Sequence, residues 1–234
     1  EALIDLYTST GGASWTDSPS NNWNVTHTPC SWTGVTCSGG NVTGIDRGAK
    51  NLVGAIPSSL INLSSLSVLD LNSNQLNSSV PSLPAALTQL NLNTNQFTGA
   101  LPALPTGLTT LAANNNQLSG SIPSLPTGLT SINLQYNQLT GSIPTLPANL
   151  TSLWLNNNQL SGSIPVLPTN LSVLRLHGNK LSGAIPTLPS SLIQIFLQNN
   201  ALSGTLPSFA SLTGLSSPNL DLSYNALTDT FAGE

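Results

Sequence analysis

The sequence predicts a solenoid. Its coils stack with a parallel β-sheet along one face and extended, proline-rich backbone along the other, and a short helix plugs the first coil. Three observations carry this. The segment LPTGLTSINLQYNQLTGSIPT, starting at Leu125, recurs with a period of 21 residues and places Leu at 83, 104, 125, 146, 167 and 188. Asn recurs on the same step at 74, 95, 116, 137, 158, 179 and 200, with Asn225 following after 25. Two prolines three residues apart recur in the units, as in Ile122–Pro126. A fixed period of this length marks a unit that must stack on its neighbours.

The elements follow in chain order. EALIDLYTSTGGASW reads as a short amphipathic helix with Leu3, Leu6 and Tyr7 on one face, closed by Gly11 and Gly12. PCSWTGVTC then brackets Cys30 and Cys37, the only two cysteines, and in a chain of extracellular character such a pair reads as a disulfide. A reactive CxxC-like thiol pair does not fit the spacing. Residues 1–41 therefore form an N-terminal cap and residues 42–234 the solenoid, mainly of 21-residue repeats.

Within one unit, Leu150, Leu153, Leu155, Leu160, Ile164 and Leu167 all point to one axis if the unit makes a single coil. Their burial alone cannot offset the backbone entropy of 21 residues. A lone coil would not fold, so stability must come from nearest-neighbour stacking. Leu-x-Leu alternation gives a short strand, and stacked strands form a parallel sheet about 4.8 Å apart. The recurrent Asn turns the chain out of that strand and bonds backbone of the adjoining coil. The prolines remove amide donors and bar a helix from the return arc. An earlier unit, Ile56–Leu66, keeps three more residues in this arc, so the shorter units should have a thinner outer wall and a flatter stack. The end, LDLSYNALTDTFAGE, shows neither a capping helix nor a cysteine pair, which reads as a missing C-terminal cap, cut away or replaced by another subunit.

Composition narrows function. The formal net charge is -4 and charged residues make up 5%, against about 25% in ordinary domains, so nucleic acid is not an expected partner. Six Asn-x-Ser/Thr sequons, at Asn24, Asn41, Asn62, Asn77, Asn149 and Asn170, favour a glycosylated, extracellular or cell-surface protein. No apolar run reaches the roughly 18 residues of a membrane span. The opening lacks the basic and apolar regions of a signal peptide, as a mature or trimmed chain would. From Leu71 to Leu220 there is no Asp or Glu and only one His, too little for acid–base catalysis. His27 and His177 lie far apart and both cysteines are paired with each other, so no metal or cofactor site is expected. The sequence predicts no enzyme.

By LxxLYxxTGGxxW, PCSWTGVTC and the repeated LxGxIP, nearly the whole chain resembles the plant-type extracellular leucine-rich repeat proteins: receptor ectodomains, receptor-like proteins and polygalacturonase inhibitors. LYTSTGGASW is similar to the algal and protist versions. The resemblance implies a curved leucine-rich repeat solenoid with the parallel sheet on its concave face, a disulfide-bonded N-terminal cap, a second polar strand at LxGxIP, and recognition of proteins, peptides or glycans through the strand face.

Two surfaces compete as a site. Position five of successive strand units reads Asp46, Asp70, Asn91, Ala112, Asn133, Trp154, Arg175, Phe196 and Asp221. If coils stack, Trp154, Arg175 and Phe196 fall on neighbouring rungs, with His177 at position seven and Tyr136 at position eight nearby. Aromatics beside Arg suit a ligand anchor, or they sandwich Arg175 and stabilise only themselves. Lys180, past the Asn column, reads as solvated surface. The second surface is the flank Thr98, Ser119, Thr140, Ser161, Ser182, Ser203 with Ala100, Ser121, Ser142, Ser163, Ala184, Thr205: a solvated strand, an ice-binding face, or a contact for self-association. The leading expectation is a non-enzymatic extracellular glycoprotein that binds a protein or glycan through its strand face. The alternative is a structural, self-assembling surface protein, joined through its solenoid ends or the Ser/Thr flank, or an ice-binding protein.

Overall fold

A computed structural model describes residues 1–228. The expectation that a C-terminal cap is missing concerns residues 220–234, a segment that reaches outside the described residues. One ten-stranded sheet runs the length of the molecule. It opens with an antiparallel hairpin, Val35–Ser38 with Asn41–Asp46. All later pairings are parallel, from Val68–Asp70 to Leu220–Asp221. The expected cap–solenoid boundary at 41/42 falls at the start of Asn41–Asp46, a strand shared by the hairpin and the parallel sheet.

Each strand is three residues long in the regular units, and its central residue points inward. Leu69, Leu90, Leu111, Ile132, Leu153, Leu174 and Ile195 pair in line across the rungs and none is more than 1% exposed. All six apolar residues expected to face the axis in the Leu150–Leu167 unit are buried. The strands are short because the chain bends outward after the second Leu. Just before each recurrent Asn, the residues Ser73, Thr94, Asn115, Tyr136, Asn157, Gly178, Asn199 and Tyr224 hold φ between 54° and 66°.

The Asn side chains fasten coil to coil. Asn137 donates from Nδ2 to Ala113 O in the preceding coil at 3.0 Å and to Leu134 O in its own coil at 3.1 Å. Its Oδ1 accepts from Leu118 N, also in the preceding coil, at 2.9 Å. The same pattern recurs at Asn95, Asn116, Asn158, Asn179 and Asn200. Each amide thus satisfies backbone groups that the bend leaves without sheet partners.

The outer arc is extended, as the prolines require. Its hydrogen bonds are isolated turns such as Leu129 N to Pro126 O and Leu150 N to Pro147 O. A 3-10 helix, Ser58–Asn62, occurs in the longer unit that keeps three more residues. On the flank after each Asn bend, short strands form separate small sheets.

The first coil is closed by the helix Ala2–Ser9, with Leu3 and Leu6 buried and Tyr7 partly buried. A Cβ on Gly12 would collide with the Tyr7 ring, and Gly11 sits at φ 68°. Cys30 and Cys37 form the disulfide. Behind them lies an arrangement that sequence reasoning did not foresee: Tyr7, Trp15, Trp23 and Trp32 pack in succession at 5.0–5.3 Å between ring centroids. Arg47, wholly buried, lies over the Trp15 and Trp23 rings at 4.5 and 5.5 Å. Its guanidinium donates to Asp17 Oδ1 at 2.6 Å and Thr33 O at 3.1 Å. Burial pushes the Asp17 carboxyl up, but the hydrogen bonds of Arg47 and Asn21, with the charges of Arg47 and Lys50, outweigh it, and its pKa lies below the usual 3.8.

Two stability outcomes follow from these contacts. Asn137→Ala should cost on the order of 3 kcal/mol, because it leaves backbone groups in two coils unpaired. Lys180→Ala, on an exposed side chain, should stay within about 0.5 kcal/mol of the parent, and denaturant midpoints compare the two. A depressed folded pKa at Asp17 stabilises the protein above the ordinary carboxylate value and ceases to do so as pH falls through the folded value. Melting temperature should therefore drop as pH falls below about 4. Asp17→Ala should flatten that dependence and cost on the order of 3 kcal/mol at neutral pH, by stranding buried Arg47.

Candidate functional site

The position-five residues lie side by side as the period requires. Asp46 pairs with Asp70, Asp70 with Asn91, Asn91 with Ala112, Ala112 with Asn133 and Asn133 with Trp154. Trp154 then pairs with Arg175, Arg175 with Phe196 and Phe196 with Asp221. Their side chains alternate with the buried Leu or Ile of each strand and so stand on the outer side of the sheet.

The step at Trp154, Arg175 and Phe196 is a ring, a guanidinium and a ring. Arg175 Cζ lies 4.5 Å from the Trp154 ring centroid and 5.8 Å from that of Phe196. Its Nε donates to Gln194 Oε1 at 2.7 Å, which fixes the fork. Among the described residues Arg175 has no carboxylate partner, the ion pair there being Arg47 with Asp17. His177 packs edge-on against Phe196 with centroids 6.0 Å apart. Burial, followed by the charge of Arg175, lowers the His177 pKa, and the more distant Asp221 opposes this weakly. His177 is thus neutral at physiological pH. Asp221 itself is held below the carboxylate norm by Ser223, through its hydroxyl and its backbone N–H.

Of the seven buried side-chain polar atoms without partners among the described residues, four lie at this step; the others are Asp17 Oδ2 and Arg47 Nε in the cap and Asn114 Oδ1 two coils before Asn156. Trp154 Nε1, Asn156 Oδ1, His177 Nδ1 and Gln198 Oε1 are closed to solvent yet form no hydrogen bond. They belong to three consecutive coils. Such groups are few in folded proteins and each calls for a cause.

The remaining site expectations fall elsewhere. Tyr136 is half exposed on the bend of the preceding coil, three residues past Asn133 and outside the strand itself. It makes no ring contact with Trp154 among the described residues. Lys180 is exposed, within 3.4 Å of Gln159. His27 is exposed on the cap. All six sequon asparagines, Asn24, Asn41, Asn62, Asn77, Asn149 and Asn170, are exposed. On the Ser/Thr flank the register slips by two: Thr98 pairs with Gln117, Ser119 with Gln138 and Ser161 with Lys180. Long side chains therefore stand beside the hydroxyls. Gln194, Gln198 and Asp221 join the strand-face site without having been singled out as ligand residues; the 21-residue steps from Val173 and His177, and the 25-residue step from Phe196 into the longer last unit, carried the signal.

The comparisons with known proteins agree with this architecture. Residues 1–38 match the leucine rich repeat N-terminal domain, and residues 65–87, 128–150, 149–171 and 170–192 match the leucine rich repeat. Among curated relatives, the receptor-like protein kinase HSL1 of Arabidopsis thaliana is 41% identical over 68 residues, which are 28% of this chain and 7% of that protein. The chain thus corresponds to a small part of such relatives. Of solved structures, the PEPR1–AtPEP1 structure has a TM-score of 0.77 at 29% identity, covering 97% of this chain and 35% of that one. The plant peptide hormone receptor RGFR1 in complex with RGF2 has a TM-score of 0.72 at 36% identity, over 78% of this chain and 32% of the receptor. A plant ice-binding protein has a TM-score of 0.69 at 25% identity, over 97% and 86%. The matched segments span more than half of the chain, and with the observed coil they establish that it belongs to the leucine-rich repeat family, with a leucine rich repeat N-terminal domain at residues 1–38.

Proposed function

We propose that this chain is a non-enzymatic, extracellular recognition module that holds a protein or glycan ligand on its strand face, centred on Trp154, Arg175 and Phe196. One observation carries the reading. An arginine with no carboxylate partner among the described residues is pre-positioned between two aromatic rings on consecutive rungs, at 4.5 and 5.8 Å. Stacking removes much of the rotamer freedom that Arg would otherwise lose on binding. Its outer nitrogens remain free to accept the bidentate geometry of an anionic group. Rigid aromatics around Arg are the composition of interface hot spots. Receptors of similar fold were solved with ligands, among them RGFR1 with RGF2 and HAESA with the peptide hormone IDA and the co-receptor SERK1.

Screening immobilised protein against extracellular protein, peptide and glycan libraries, in wild-type and Trp154→Ala, Arg175→Ala forms, tests this. A ligand of the wild type should lose at least about tenfold in affinity for the double variant. Unchanged affinity removes the step from the site.

A second reading rests on the plant ice-binding structure, which matches this chain over 97% of its length and is itself 86% covered. In that reading the Ser/Thr flank orders water, against the interruption by Gln138 and Lys180. Thermal hysteresis of the purified chain decides it: a freezing gap that Thr140→Lys abolishes supports ice binding, and no gap at any concentration rejects it.

A further inference from the structure

The four unpartnered atoms at the strand-face step specify more than a docking surface. Two are acceptors, Asn156 Oδ1 and Gln198 Oε1, one is a donor, Trp154 Nε1, and His177 Nδ1 is either according to the tautomer. They span three rungs, about 10 Å of sheet. Groups that both donate and accept from one edge are hydroxyls. A sugar ring carries several around its rim, each able to donate and accept, whereas an extended peptide edge offers every N–H and C=O in one fixed role. Ring dimensions agree as well, since an extended sugar chain advances by about one rung for each pyranose. The apolar face of a pyranose packs on an aromatic ring, and the rung on the far side of Trp154 carries the small amide Asn133. The neighbouring amides Asn156, Gln194 and Gln198 provide no competing charge.

Arg175 adds a demand for an anion. Gln194 occupies its Nε, no acidic residue lies between Leu71 and Leu220, and among the described residues no carboxylate pairs with it. Sulfate or phosphate would meet the same fork. A planar carboxylate matches it with two parallel bonds and brings one negative charge to the single cation present. Neutral His177 leaves one ring nitrogen as an acceptor for a hydroxyl rather than a second cation.

We propose that the Trp154–Arg175–Phe196 step is an acidic-sugar subsite: it takes two to three consecutive rings of a uronate-containing glycan, with one carboxylate on Arg175 and hydroxyls meeting Trp154 Nε1, Asn156 Oδ1, His177 Nδ1 and Gln198 Oε1. It rests on the strand-face reading above and narrows its ligand class. These atoms are closed to solvent in the free chain, so binding includes an outward rotation of the side chains that carry them.

Titration calorimetry with four probes tests this: hexamers of glucuronate, of galacturonate and of glucose, and hexaglutamate as a charge control. At least one uronate hexamer should bind at least tenfold tighter than the glucose hexamer and hexaglutamate. Arg175→Gln should remove that preference, and Gln198→Ala should weaken uronate binding severalfold with no change in melting temperature. Melting curves confirm that each variant is folded. Equal binding of hexaglutamate, equal binding of the neutral hexamer, an unaltered Arg175→Gln variant, or no sugar binding by folded wild type each overturns the sugar subsite. If a protein or peptide found by screening loses affinity on Arg175→Gln while no sugar binds, the docking face stands and the uronate assignment falls.

Discussion

The whole molecule depends on one bridging contact, an asparagine amide that reaches from each bend into the coil before it. Without it, the chain could not leave a three-residue strand and still satisfy its backbone. The bend places a residue at positive φ and turns several N–H and C=O groups away from the sheet. Asn137 alone answers one donor and three acceptors across two coils. A glutamine would overshoot, an aspartate would meet carbonyl oxygens with negative charge, and a serine would reach too few groups. Identical bends at a fixed interval then make every coil the template of the next.

That regularity converts sequence distance into surface geometry. Residues 21 apart become neighbours across a hydrogen-bonded rung. A strand face therefore accumulates its chemistry one residue per coil, and a patch of three side chains needs three repeats. The low charge of the solenoid gives the single strand-face arginine unusual weight. Among the described residues no carboxylate pairs with it, Asp221 standing two rungs away beyond Phe196, and two aromatic rings hold it. The cap solves the opposite problem. It buries an arginine between tryptophans and against Asp17, and so closes the apolar end of the stack.

The period, the inward leucines, the Asn column and the disulfide were legible because each rests on a local rule repeated many times or on a single possible pairing. The rungs that unite Trp154, Arg175 and Phe196 were legible for the same reason. Tyr136 illustrates the limit. Its column position was correct, but the left-handed bend carries it off the strand, and only backbone geometry reveals that. On the flank the directly paired residues are 19 apart in place of 21, which sets Gln138 and Lys180 beside Ser119 and Ser161 while Ser121 pairs with Thr140. Arg47 and the tryptophan succession were invisible for another reason. Asp17 and Arg47 are thirty residues apart with no period to relate them, so nothing in the letters brings them together.

The stacking of neighbouring coils is tested most directly by cysteine cross-linking on the strand face. One-rung neighbours stand about 4.8 Å apart and two-rung neighbours about twice that, while a disulfide spans about 4.4–6.8 Å between Cα atoms. Trp154→Cys with Arg175→Cys should therefore form a disulfide under mild oxidation, detected by mass spectrometry beside the intact Cys30–Cys37 bond. Trp154→Cys with Phe196→Cys should remain reduced. Cross-linking of the 154/196 pair in preference to 154/175 would contradict one coil per repeat and the binding face built upon it.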